Sequence, residues 1–268
     1  IIVAPVANGS AVTNASGNVA QTNSTVTVTT TPNANYRTLG ISARTNTGAS
    51  VAVTRSGNNL YYFTVPAGAT SVTITPSFDL DTGMPFVDVL STEFYLPYVQ
   101  FVYKNGMMNG TEPTVFSGEQ AITRGQLVAI LWRQQGSPAA ATYAGFVDVP
   151  ASEYYASAIT WAKNNKIVNG TSATTFEPDR AINRQEFATI LYNFNNYLGK
   201  STANQKNLNG YTDNGYVESW AKTAMQWCVG NGIISGDTPT TLSPYGTATR
   251  YQGATMLTRY CQNFLGMK

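Results

Sequence analysis

The sequence predicts a multidomain chain: a small all-β domain over residues 1–82, followed by an all-α-type region built from three copies of one repeat. Three observations carry this. Apolar residues alternate with period two in the first third of the chain and follow a helical period afterwards. One set of motifs recurs three times at matched spacing in the second part. A length of 268 residues is too long for one ordinary core and suits about two folding units.

The β prediction rests on Thr25-Val26-Thr27-Val28-Thr29-Thr30, Ser50-Val51-Ala52-Val53-Thr54 and Ser71-Val72-Thr73-Ile74-Thr75, each alternating. Leu60-Tyr61-Tyr62-Phe63-Thr64-Val65 is a further strand, preceded by the turn residues Ser56-Gly57-Asn58-Asn59 and followed by the break Pro66-Ala67-Gly68-Ala69. These runs, with Thr31-Pro32-Asn33-Ala34-Asn35-Tyr36 and Phe78, resemble the InlB B-repeat-like modules of bacterial surface proteins. The resemblance implies a spacer or interaction domain. Asp79-Leu80-Asp81-Thr82-Gly83 looks like the start of a calcium loop but lacks the later ligands and the terminal Glu, so it reads as a linker. The apolar opening Ile1–Val6 reads as the first strand of this domain, or else as a strand added to the sheet edge of a neighbouring subunit. It has no initiator Met, as expected of a processed product or a fragment.

The repeats are assigned to 83–143, 144–205 and 206–268. Each starts with an aromatic-x-Asp triplet: Phe86-Val87-Asp88, Phe146-Val147-Asp148 and Tyr211-Thr212-Asp213. Each has a first helix ending in Gly110, Gly170 or Gly236, and a second opening at Thr123-Arg124, Asn183-Arg184 or Thr249-Arg250. The turn glycine and the arginine are 14 residues apart in all three copies, a coincidence hard to obtain by chance. The Asp is expected to cap the first helix and the glycine to supply a positive φ. Thr123, Asn183 and Thr249 are expected N-caps, which puts each arginine in a first helical turn where the macrodipole disfavours a cation. An arginine placed there three times invites an anionic partner, a ligand or else an acidic side chain in a salt bridge at the surface or between repeats.

The combined pattern, F-x-D, G-[IM]-[IMV]-x-G, F-x-P and I-T-R-x-[EQ], resembles the S-layer homology (SLH) module, over about residues 85–265. The resemblance implies a pseudo-threefold prism whose inter-repeat grooves bind a secondary cell-wall polysaccharide, often pyruvylated. By position the ligand-binding candidates are Arg124, Arg184 and Arg250, Thr123, Asn183 and Thr249, and Gly110, Gly170 and Gly236 lining the grooves. A guanidinium fork would match a ketal carboxylate. Trp161 and Trp227, at equivalent first-helix positions, would offer faces to the sugar, although their Ala-rich helical company favours packing in the core instead. Departures point to unequal grooves: Gln126 and Gln252 stand where the family has the Glu retained at Glu186, Asn183 replaces Thr, and Phe116-Ser117-Gly118 and Leu242-Ser243-Pro244 depart from Phe176-Glu177-Pro178.

Composition bounds the rest. Charged residues make up only 11% of the chain, less than half the usual share, which suits an extracellular, saccharide-rich setting. A net charge of +2 with scattered Lys and Arg argues against nucleic acid, and no apolar run is long enough to span a membrane. With no His, no nucleophile elbow and no phosphate loop, no enzyme, metal site or cofactor is expected. Glu153, Glu177 and Asp179 fall in repeat positions that already have a structural explanation. Cys228 and Cys261 are either a disulfide in the third copy or two buried thiols. The functional expectation is a non-enzymatic protein of the bacterial cell surface, anchored to a wall polysaccharide. The alternative is a self-assembling S-layer or filament subunit whose β domain contacts other copies.

Overall fold

The computed structural model describes residues 1–140 and 145–268. The expected boundary between the first two repeats, at 143/144, lies outside the described residues. The chain forms two compact units, Ile1–Leu96 with Gly110–Phe116, and Pro97–Asn109 with Ser117–Lys268.

In the first unit, β1 (Ile2–Val3), β2 (Gly9–Thr13), β3 (Thr25–Pro32), β4 (Tyr36–Thr45), β5 (Ser50–Val51), β6 (Thr54–Arg55), β7 (Leu60–Thr64) and β8 (Val72–Leu80) form two four-stranded sheets. Their orders are β1-β8-β4-β5 and β2-β3-β7-β6. Alternation decides which side chains go inward: Val26 and Val28 of β3, Tyr61 and Phe63 of β7, and Val72 and Ile74 of β8 share one core. The hydroxyls of Thr30 and Thr38, one from each sheet, meet at 2.9 Å inside it. The run Ser50–Thr54 is not one strand: β5 and β6 belong to different sheets, and Val51 and Val53 pack on the core as the chain crosses between them.

β1 runs parallel to β8, with Ile2 opposite Thr73 and Val3 opposite Ile74, so the N-terminal strand is taken up by its own domain. β4 escapes the sequence pattern because its register shifts at a bulge between Thr38 and Gly40, which breaks the alternation. The segment read as a linker is partly strand. Asp79 lies in β8, 3.6 Å from Arg37, and accepts from both the N–H and the hydroxyl of Ser91. Arg37 also donates to the carbonyls of Met84, Phe86 and Val89.

The helices are α1 (Leu96–Lys104), α2 (Arg124–Gln134), α3 (Ala156–Asn164), α4 (Arg184–Tyr197), α5 (Lys222–Gly230) and α6 (Arg250–Tyr260). α2 packs on α3 and α4 on α5, while Thr258 of α6 donates to the Tyr98 carbonyl of α1. The three second helices start together: Ile182 N–H donates to Ile122 O at 3.0 Å, Ala248 N–H to Ile182 O at 2.9 Å, and Ile122 N–H to Ala248 O at 3.0 Å. These bonds close on themselves, and all three side chains are fully buried. No helix among the described residues is long and apolar enough to cross a membrane.

Candidate functional site

Each second helix opens with a capping box. Thr123, Asn183 and Thr249 accept from the N–H of Gln126, Glu186 and Gln252, and those three side chains accept in return from the cap N–H groups. The expected caps are therefore present, and Gln serves in this role as Glu does. The cap oxygens are occupied by backbone donors.

The Asp expectation fails. α3 and α5 have no side-chain cap, because Asp148 and Asp213 lie a full turn-containing segment upstream of them. Asp148 instead accepts from the N–H groups of Phe176 (2.9 Å) and Glu177 (2.6 Å), and Asp213 from those of Leu242 (2.8 Å) and Ser243 (2.7 Å). Asp88 accepts from Phe116 N–H. Glu177 and Ser243 have φ of 57° and 50°, so the carboxylate holds two successive N–H groups of a tight, left-handed turn. The Asp thus fixes the loop leading into the second helix.

The glycine expectation is corrected as well. Positive φ falls on Gly106, Lys166 and Gly232, at the end of the first helices, and not on Gly110, Gly170 or Gly236. Gly170 is needed for close approach: a Cβ there would lie 2.4 Å from Ser172 O and 2.5 Å from Thr175 O. The space freed by the missing side chain is filled by the protein's own backbone.

Arg124, Arg184 and Arg250 are buried, and each reaches into another copy. Arg124 donates from Nε to Phe176 O (3.0 Å) and from Nη2 to Asn169 O (3.4 Å). Arg184 repeats this with Leu242 O (2.7 Å) and Ser235 O (2.6 Å), and Arg250 Nη2 donates to Asn109 O at 2.5 Å. The groups meeting these cations are thus carbonyl dipoles at the end of a neighbouring turn. Burial pulls the guanidinium pKa of Arg124 and Arg184 down, against the opposing pull of Glu186 on the first and Asp237 on the second. Arg124 also lies 4.6 Å above the Phe176 ring and pairs through Nη1 with Glu186 at 3.0 Å. Glu186 is shared with Arg180 at 2.6 Å, which pairs in turn with Glu177 at 2.5 Å.

Beside this network opens a cavity of about 660 Å³. Arg124, Arg180, Glu177 and Glu186 contribute charge, Asn169, Thr189 and Asn193 neutral polar groups, and Gly170 is also in the lining. Trp220 completes it and is 54% exposed. Of the predicted site residues, only Arg124 and Gly170 line this cavity; Trp220 was missed.

Trp161 and Trp227 are core residues and not sugar platforms. Trp161 is covered by Phe194 and Tyr197, and Trp227 by Tyr192, Tyr260 and Phe264. Their Ala-rich helical company pointed to this role; position alone did not. Trp220 lies just before α5, at the seventh residue after Asp213, where the other copies carry Tyr95 and Tyr155. Cys228 and Cys261 are free, buried thiols; burial pushes both up, Cys261 to about 12.

The departure at Gly118 has a packing reason. Its Cβ position lies 1.7 Å from the ring of Tyr251, so the ring occupies the place a side chain would take. Gly125 and Gln185, at the position of Tyr251 in α2 and α4, face Pro178 and Pro244. The loop residue and the helix residue facing it thus differ together among the three copies.

A family model described as the S-layer homology domain matches residues 85–128, 145–188 and 210–252. The chain is 27% identical over 175 residues to an endoglucanase of Bacillus sp. (strain KSM-635), covering 65% of this chain and 18% of the relative. It is 29% identical over 168 residues to a surface-layer 125 kDa protein of Lysinibacillus sphaericus, covering 62% and 14%. It is 26% identical over 162 residues to a cellulosome-anchoring protein of Acetivibrio thermocellus, covering 57% and 34%. The chain therefore spans less than a fifth of the first two relatives and about a third of the third. Enzymes among such relatives are matched over the S-layer homology regions, so they indicate no catalytic activity here.

Proposed function

Starting from the three S-layer homology domains this chain carries, which place it at the cell surface, we propose that its helical region anchors the protein by binding a secondary cell-wall polysaccharide. The observation that carries this reading is the cavity beside Arg124. It offers the mixture a saccharide needs: an exposed indole face for the C–H surface of a ring, amide and hydroxyl groups for its hydroxyls, and fixed charges to orient it. The polymer is taken to carry carboxylates, as a pyruvylated one does. A pseudo-threefold arrangement of the copies is supported by the closed ring of bonds through Ile122, Ile182 and Ala248.

The test is calorimetric binding of the intact chain to purified wall polysaccharide, with cell walls stripped of that polymer as control. Saturable binding to the polymer, lost on stripping and weakened at least several-fold by Trp220→Ala, is the expected result. Equal binding to stripped walls, or no binding to the polymer, refutes it.

Self-assembly through the β domain is a second reading. It draws on the outer edge of β2, which pairs on one side with β3, and on Val12, Leu60 and Tyr62 exposed on the same sheet. Concentration-dependent sedimentation of the chain without polymer tests it; a monomer at all concentrations ends it.

A further inference from the structure

A second cavity, of about 240 Å³, opens in the first unit, beside the turn that joins β6 to β7. Two loops contribute to its lining, and hydrogen bonds brace both. In the turn 56–59, Arg55 donates from Nε to Gly57 O and from Nη2 to Asn58 O, each at 3.0 Å. The Asn59 carbonyl accepts from the Thr30 N–H at 2.9 Å and from the Thr30 hydroxyl at 3.3 Å. The segment 81–87 is fastened as well. Arg37 donates to the carbonyls of Met84 and Phe86, and Asp81 N–H donates to Asn35 O at 2.8 Å. The side chains are less committed than the backbone. Among the described residues the amides of Asn58 and Asn59 and the hydroxyl of Tyr36 have no partner. Arg55 keeps Nη1 unbonded there, and Asp81 keeps Oδ2, its Oδ1 accepting from Gly83 N–H at 2.9 Å.

From these uncommitted groups we propose that the cavity binds one neutral sugar ring, free or as the end unit of a neutral glycan. The volume, that of about eight waters in the liquid, admits a single ring and no longer chain. The charges around it cancel. Arg37 lies 3.6 Å from Asp79, and Arg55 is offset by Asp81, with which it forms no ion pair. Neither an anion nor a cation is therefore favoured, whereas Arg55 and Asp81 both remain free to meet hydroxyls. Adjacent hydroxyls of a sugar ring each donate and accept, so they match the paired polar atoms of an amide, a carboxylate or a guanidinium edge. Pro32 and Pro85 in the lining give the C–H face of the ring an apolar contact. Because the loops are already braced, binding has little backbone to order. The proposal is independent of polymer binding by the helical region, since the cavity beside Arg124 is lined by the second unit alone.

The test is titration of the intact, isotope-labelled chain, followed by the NMR shifts of its backbone and side-chain amides. The probes are glucose, galactose, mannose and N-acetylglucosamine, neutral oligosaccharides of the same units, and glucuronate and glucosamine as charged controls. At least one neutral probe should bind saturably and shift the side-chain amides of Asn58 and Asn59 and the backbone of residues 81–87. Shifts with a free sugar support a site for a single unit, and shifts with oligosaccharides alone support the same site holding a chain end. Asn58→Ala removes a side chain that has no other partner, and Asp81→Asn keeps an acceptor for Gly83 N–H. Each should weaken binding about fivefold, the loss of one hydrogen bond. Thermal melting controls for folding, and should one variant fail to fold the other decides. The proposal is overturned if no neutral probe binds, if shifts are confined to the Trp220 indole, or if a folded variant keeps wild-type affinity. Tighter binding of glucuronate or glucosamine than of every neutral probe overturns it too.

Discussion

Gly118→Ala tests whether the second-helix position and the loop it faces form a matched pair. The added Cβ would lie 1.7, 1.9 and 2.1 Å from three carbons of the Tyr251 ring, where 3.4–4 Å is ordinary contact. Tyr251 is 6% exposed, so its ring cannot swing into solvent. The backbone cannot retreat freely either, because Tyr251 N–H donates to Gly118 O at 3.0 Å. Overpacking of this kind costs about 1–3 kcal/mol, and stretching the bond adds about 1 kcal/mol. The expected loss is about 2–4 kcal/mol, or roughly 4–16 °C in the melting midpoint of a unit this size. Urea unfolding followed by tryptophan emission is the assay. All four tryptophans, Trp132, Trp161, Trp220 and Trp227, belong to the second unit, so the signal reports on that unit alone. Tyr251→Gln, which installs the residue found at the same position of α4, should relieve the clash. The double mutant should then recover about 1–3 kcal/mol relative to additivity. A loss below about 0.5 kcal/mol for Gly118→Ala, or strict additivity, refutes the argument.

Three further outcomes are expected. Trp227→Ala should destabilise the second unit by about 3–5 kcal/mol in the same urea assay, whereas Trp220→Ala should leave the midpoint nearly unchanged; equal effects would contradict the burial contrast. Cys228 and Cys261 should resist iodoacetamide at pH 8 in the native protein, because burial raises both thiols and leaves little thiolate, and both should react in urea; mass spectrometry showing rapid native labelling would refute this. Asp148→Ala should cost about 2–3 kcal/mol through the stranded N–H groups of Phe176 and Glu177, with Asp148→Asn losing less; a neutral Asp148→Ala would return the Asp to a role elsewhere.

The parts legible in the sequence were those governed by local rules. The caps Thr123, Asn183 and Thr249 and the alternation of β3 and β7 depend on neighbours within a few residues, and the structure has them. Roles set by distant partners were not legible. Asp148 precedes a helix in sequence, but its N–H donors lie 28 and 29 residues away. Trp161, Trp220 and Trp227 each belong to or adjoin a first helix, yet only packing by residues such as Phe194 and Tyr260 separates the buried pair from the exposed one. An arginine at a helix N-terminus suggested an anion, whereas Arg124 meets a peptide carbonyl 52 residues away as well as Glu186, partners that only the fold brings to it.

The bond from Arg250 to Asn109 spans 141 residues, and with it the last copy meets the first. Helical proteins usually fold fast because their contacts are local; this one completes its central ring only when the third copy has been synthesised and has returned to the first. The entropy of closing so long a loop grows only logarithmically and is modest at equilibrium, so the delay is chiefly kinetic. An open stack of repeats can shed an end copy and expose one junction. Loss of Ala248 with the last copy would break two of the three bonds of the ring, those to Ile182 and to Ile122, so a truncation there is felt on both sides.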